Sequence, residues 1–131
     1  MAYLIDGTTL VQLLRATPPP ALIRRLRQVP TGMRWTSVIT VSQLLVAARR
    51  ERDPRLMQNV VRLVASIRVT AYDLPAAERF AKLRAQPAGQ EADVDDVMIA
   101  AVALARDFTI VTKRADAFAA MDGLRLEDWT Q

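Results

Sequence analysis

The chain has 131 residues, 51% hydrophobic and 24% charged, with no cysteine and no histidine, the profile of a folded soluble protein able to bury a core without staples. The two absences exclude disulfides, thiolate zinc centres and cysteine nucleophiles, and equally Ser-His-Asp triads, histidine-held zinc and imidazole acid–base catalysis. The net charge of +4 conceals fourteen Arg/Lys against four Asp/Glu between Gly7 and Gln90, and four against nine from Glu91 onward.

In chain order, Ala2 to Ile5 is an apolar run closing on Asp6, which predicts a buried strand. Thr8 or Thr9 can cap a helix through Leu10, Val11, Leu13 and Leu14. Pro18 to Pro20 breaks the chain, and Pro20 opens a helix over Ala21 to Val29 with Leu22, Ile23 and Leu26 on one face and Arg24, Arg25 and Arg27 exposed. Trp35 to Ile39 reads as a second strand, and Thr40-Val41-Ser42-Gln43 as a capping box starting a helix through Arg50. Pro54 begins a helix with Leu56, Val60, Leu63, Val64 and Ile67 on its buried side. Arg68 to Tyr72 is a third strand, Pro75 opens a helix through Phe80 and Leu83, and Gln86 to Ala92 reads as loop. Asp93 can cap a helix over Val94 to Arg106, whose Met98, Ile99, Val102 and Ala105 keep the helical period. Thr109 to Thr112 is a fourth strand, followed by a short helix around Asp116 to Met121 and a last strand near Leu124 to Leu126.

This alternation, without an internal repeat or a composition break, predicts one α/β domain over 1–131 with a mostly parallel sheet. Asp6 interrupts the N-terminal apolar run before a signal-peptide core forms. The longest apolar run, Val97 to Ala105, has nine residues and is too short to span a bilayer, so a cytoplasmic protein without membrane association is expected.

The functional crevice of such a sheet lies beyond the carboxyl ends of its strands. Asp6 ends the first strand, Gln43 follows the second, and Arg114 to Asp116 follow the fourth. Asp93, Asp95 and Asp96 sit at a helix start. Carboxylates meeting there repel one another unless a cation neutralises them, and Mg²⁺ or Mn²⁺ suits an oxygen-only donor set. Each acid also has a plainer explanation. The three near Asp93 complement a helix dipole, by about 0.3–1 kcal/mol each, and Gln43 completes the capping box of Thr40. Asp6 is hardest to explain this way, because burial at the end of an apolar strand is costly without a partner. The basic stretch suits a polyanion, and it also matches a GC-rich coding bias, since sixteen of the eighteen basic residues are Arg.

The segments Tyr3-Leu4-Ile5-Asp6, Ser37 to Leu45, Asp96-Val97-Met98-Ile99-Ala100-Ala101 and Thr109-Ile110-Val111-Thr112, with Phe118 and the ending Leu124 to Trp129, resemble successive motifs of PIN-domain proteins. Among these they resemble most the VapC toxins of bacterial toxin–antitoxin pairs. The likeness runs in order along nearly the whole chain and is most specific from Asp96 to Thr112. It implies an α/β/α sandwich, Mg²⁺- or Mn²⁺-dependent cleavage of RNA, a homodimer, and a VapB-like antitoxin lying over the cleft, for which Leu10, Leu13, Leu14, Leu44 and Leu45 offer either a groove or ordinary core.

Carried over by position, Asp6 and Asp96 match two metal-binding acids and Thr112 a hydroxyl beside them. Three positions depart from the pattern: Gln43 stands where the family has Glu, Arg114 where it has Asp or Asn, and Thr8 where it often has Asn or Ser. Asp93 or Asp116 is expected to assist the metal, Gln43 to position water or a ligand, and Arg114 to disturb the cation or bind phosphate. The resulting expectation is a weakened ribonuclease toxin; the alternative is a PIN-fold protein that binds RNA or an antitoxin without cleaving.

Overall fold

Five short β-branched or apolar runs, each joined to the next by a helical connection, assemble into one sheet. In the computed structural model, which describes residues 1–131, β1 (Tyr3–Ile5), β2 (Arg34–Ser37), β3 (Arg68–Thr70), β4 (Thr109–Val111) and β5 (Leu126–Glu127) lie in the order β3-β2-β1-β4-β5, every neighbouring pair parallel. The connections hold α1 (Gly7–Leu10, continued by a 3₁₀ turn over Val11–Leu14), α2 (Pro20–Gln28), α3 (Val38–Glu51), α4 (Pro54–Ala65), α5 (Leu74–Ala85), α6 (Pro87–Glu91), α7 (Val94–Arg106) and α8 (Ala115–Phe118).

Alternation along the strands divides the core into two layers. Leu4 and Ile110 point into one, with Ala76 and Leu83 of α5, Val97, Ile99 and Ala100 of α7, and Phe118 of α8. Ile5 and Val111 point into the other, with Leu10, Leu22, Leu44, Val60 and Trp129. The result is the expected α/β/α sandwich. Leu10 and Leu44 are core, and Leu13, Leu14 and Leu45 pack against it partly buried, which favours the core reading of these leucines. No helix is long and apolar enough to cross a membrane.

The central helix is α7, buried along most of its length from Asp96 to Ala103. Burial of Val97, Ile99 and Val102 stabilises it by about 1.5–3 kcal/mol per side chain. Ala100 and Ala101 let neighbours approach closely, and Ala100→Leu would overpack the layer at a cost of about 1–3 kcal/mol. The helix stops where Asp107 turns left-handed (φ 58°) and Phe108 N–H donates to the Ala103 carbonyl at 2.9 Å. That stop delivers the chain directly into β4.

Several boundaries differ from the sequence reading. The second strand ends at Ser37, whose hydroxyl accepts from Thr40 N–H at 3.0 Å and caps α3. Thr40 therefore lies inside the first turn, and Gln43 is no capping-box partner. Asp6, rather than Thr8 or Thr9, precedes α1, and its carbonyl accepts from Thr9 and Leu10 N–H. Arg25 is not free but pairs with Glu127 at 3.1 Å. The predicted loop at 86–92 contains α6, with Pro87 at its first position and Arg84 donating to the Gly89 and Ala92 carbonyls at 2.7 and 3.0 Å. A Cβ at Gly89 would lie 1.8 Å from the Leu83 carbonyl oxygen, so only glycine permits this close turn. The last strand is Leu126–Glu127, later than expected.

From β1 the chain winds outward through β2 to β3, then returns to the other side of β1 for β4 and β5. Neighbouring β1 and β4 thus flank the point where the winding reverses, and a crevice opens beyond their carboxyl ends.

Candidate active site

Strand pairing sets the position of the first acid. Asp6 N–H donates to the Val111 carbonyl at 2.8 Å, extending the β1–β4 ladder by one residue and turning the Asp6 side chain into the crevice. On the neighbouring strand, Thr112 N–H donates to the Glu127 carbonyl at 2.9 Å, which fixes Thr112 beside Asp6. The third element is α7: Asp93 caps it by accepting from Asp95 N–H at 2.9 Å, and Asp96 falls on the inward side of the first turn.

These elements line an open cleft of about 450 Å³ bounded by Asp6, Gly7, Thr8, Val11, Gln43, Leu44, Ala47, Asp93, Asp95, Asp96 and Arg114. Two carboxylates lie deep in it, with side-chain exposures of 2% for Asp6 and 8% for Asp96. Asp6 Oδ2 accepts from Thr112 Oγ1 at 2.8 Å and from Thr8 Oγ1 at 3.2 Å. Each hydroxyl has a single proton, so with both given to Asp6 the 3.3 Å contact between the two threonines is proximity alone. Their lone pairs accept in turn: Lys113 N–H donates to Thr8 Oγ1 at 3.1 Å and Arg114 N–H to Thr112 Oγ1 at 2.9 Å. The Asp6 cradle thus also holds the loop that carries Arg114.

Arg114 brings the cation. Its guanidinium grips Asp96 with both arms, Nη2 to Oδ1 at 2.8 Å and Nη1 to Oδ2 at 3.3 Å, and Nη2 also lies 3.6 Å from Asp6 Oδ2. It sits 5.7 Å from the centroid of buried Phe118, which supports it from below. The hydrogen bond to Asp96 raises the already high pKa of the guanidinium, with burial pulling the other way, so Arg114 stays charged. A planar fork against a carboxylate is the strongest form of this pair.

At the outer rim, Gln43 Nε2 donates to Asp95 Oδ2 at 3.1 Å, linking α3 to α7. The sequence places Asp95 beside Asp93 and Asp96 at the helix start but assigns it no role. Its signal was the spacing within Asp93-Val94-Asp95-Asp96: successive helical residues are about 100° apart, so Asp96 turns inward while Asp95 turns toward a neighbouring helix. Of the residues expected to assist, Asp93 lines the cleft but is exposed and engaged as a cap. Asp116 does not join the others. It is exposed on α8 and does not line the cleft, because the turn at Ala115 carries it past the rim. No three carboxylates are grouped to hold a metal ion.

The parallel sheet thus opens an acid-lined crevice where its winding reverses, and comparison with known proteins narrows the class. Residues 3–124 match the PIN domain family. The chain is 33% identical over 114 residues to a tRNA(fMet)-specific endonuclease VapC of Shigella flexneri, covering 85% of this chain and 86% of the relative. A protein of the same name from Salmonella typhimurium is 28% identical over 132 aligned positions, covering 98% of each. The crystal structure of DNA-bound VapBC from Salmonella typhimurium superposes with a TM-score of 0.87 at 28% identity, covering 98% of each chain. The chain belongs to the PIN domain family, in its VapC branch.

Proposed function

We propose that this chain is an endoribonuclease toxin of the VapC type that cleaves RNA phosphodiester bonds, with residues 1–131 acting as one PIN unit. The buried Asp6–Asp96 pair at the sheet's winding reversal carries this reading, since burying two acids side by side is costly and serves nothing in the core. The activity in the relatives' names supports RNA as the substrate. Asp6 and Asp96 form the reactive face, Thr8 and Thr112 fix Asp6, Gln43 and Asp95 close the rim, and Arg114 meets a phosphate once it leaves Asp96. The cleft lining carries four aspartates against one arginine, so phosphate contacts must also come from basic surface outside it.

A divalent cation, the cofactor the family resemblance implies, would supply an activated water and neutralise charge developing on the phosphodiester. The side chains as they stand do not fit it. Asp96 is held on both oxygens by Arg114, Asp6 shares the same guanidinium, and Gln43 replaces the carboxylate that would complete a set of three. Turnover by the unaltered chain is therefore expected to be slow.

The Arg114–Asp96 fork also favours a second reading, a PIN-fold protein that binds RNA or an antitoxin without cleaving. Measuring RNA cleavage with Mn²⁺ by the unaltered chain, Gln43→Glu and Asp96→Asn separates the two. The first reading expects slow, faster and no cleavage, in that order. Folded protein with no cleavage in the first two overturns it, and RNA binding that survives EDTA without turnover supports the second. The VapBC assemblies of the relatives support an antitoxin as one proposed partner, and the family resemblance implies a second copy of this chain as the other. Co-purification with a neighbouring-gene product and sizing in solution test them.

A further inference from the structure

We propose that Arg114 is the resident counter-ion of the Asp6–Asp96 pair, so that the guanidinium and a divalent cation are alternative occupants of the same position and the resting chain holds divalent metal only weakly. The proposal deepens the reading of the cleft as a PIN site and rests on it only for the choice of ion.

Two buried carboxylates facing one crevice need positive charge between them. Arg114 supplies it with both arms on Asp96 and one within 3.6 Å of Asp6. A cation held by both aspartates would have to share Asp96, both of whose oxygens the fork occupies, and a second positive charge that close to the guanidinium is repelled. The guanidinium is also held in place by contacts beyond its own ion pairs. The backbone N–H groups of Lys113 and Arg114 are tied to Thr8 and Thr112, and the buried Phe118 ring lies beneath the head group. Leaving therefore costs Arg114 a charge-assisted fork and an aromatic contact together. Gln43 acts in the same direction: it spends its amide N–H on Asp95 and brings no charge to draw a metal in. Two substitutions on separate elements thus converge on one result, an acid pair already partly balanced by the protein itself.

The test is Mn²⁺ binding followed by electron paramagnetic resonance, which reads free Mn²⁺ without requiring activity. The unaltered chain, Arg114→Asn, Gln43→Glu and the double variant are compared. Arg114→Asn is expected to bind Mn²⁺ about tenfold more tightly than the unaltered chain, and the double variant more tightly again, with one ion per chain. Arg114→Gln, whose amide keeps one hydrogen bond to Asp96 while dropping the charge, carries the comparison if Arg114→Asn does not fold. Equal affinity in the unaltered chain and the Arg114 variants overturns the proposal, as does a folded Arg114 variant that binds no Mn²⁺. Failure of every variant to cut RNA would sink the ribonuclease reading without touching the binding result, so the two can fail separately.

Discussion

Two arginines in this protein make nearly the same set of contacts and do different work. Arg25 on α2 pairs with Glu127 at 3.1 Å and lies over the rings of Tyr3 and Trp129 at 5.6 and 5.3 Å. Arg114 pairs with Asp96 at 2.8 Å and lies over Phe118 at 5.7 Å. The arginines are similarly exposed, 36% and 41%, but Glu127 is 35% exposed while Asp96 and Asp6 are 8% and 2%. Around Arg25, water screens the ion pair, and the cluster is a clasp fastening α2 to the end of the chain. Around Arg114 the acids are themselves buried, and the guanidinium is the one cation that reaches both of them. The contrast shows that the partner's burial, rather than the arginine's contacts, decides whether an ion pair is ornament or necessity.

Removing the cation from each cluster breaks the comparison most sharply. Arg114→Met is expected to cost about 2–3 kcal/mol in EDTA, below the range for a fully buried pair because Arg114 is 41% exposed and water can partly replace it. Urea denaturation measures it. Thr112→Val removes the 2.8 Å hydrogen bond to Asp6 Oδ2 and a donor that a buried carboxylate cannot easily replace, for a loss of about 1–2 kcal/mol by the same measurement. Glu127→Gln at the Arg25 clasp keeps the side-chain shape and removes only the charge, and should cost less than about 1 kcal/mol.

The smallest expected effect is one of pH. Hydrogen bonding to Glu127 raises the pKa of Arg25 as bonding to Asp96 raises that of Arg114. A raised folded value means stability that is fully present below the ordinary arginine value and lost only above the higher one. Neither guanidinium therefore contributes any slope between roughly pH 7 and 9, and urea midpoints of the unaltered chain and Arg114→Met should run parallel there.

The sequence made the sandwich legible because the signals were local: apolar runs for β1 and β4, Pro20, Pro54 and Pro75 at helix starts, and the cap Asp93. Asp6 and Asp96 were legible for a different reason, an acid at the end of a buried strand and another in the right motif. What stayed hidden depended on contacts between distant segments. The Gln43–Asp95 bond joins residues 52 apart in the chain, and nothing near either one announces the other. Ser37 rather than Thr40 starts α3 because both can cap, and only the length of β2 chooses between them. Asp116 looked close to the site along the sequence, yet a short helix takes it away from the cleft. Arg114 was visible as a departure; that it grips Asp96 on both oxygens was not.

The most direct test of Arg114 as the resident cation is the melting temperature of the unaltered chain and of Arg114→Asn, each in EDTA and in Mn²⁺. The unaltered chain should melt at one temperature in both. Arg114→Asn should melt lower in EDTA and recover by about 4 °C or more on adding Mn²⁺, as the metal takes the vacated place between Asp6 and Asp96. A Mn²⁺-dependent rise in the unaltered chain equal to that of Arg114→Asn would contradict the account.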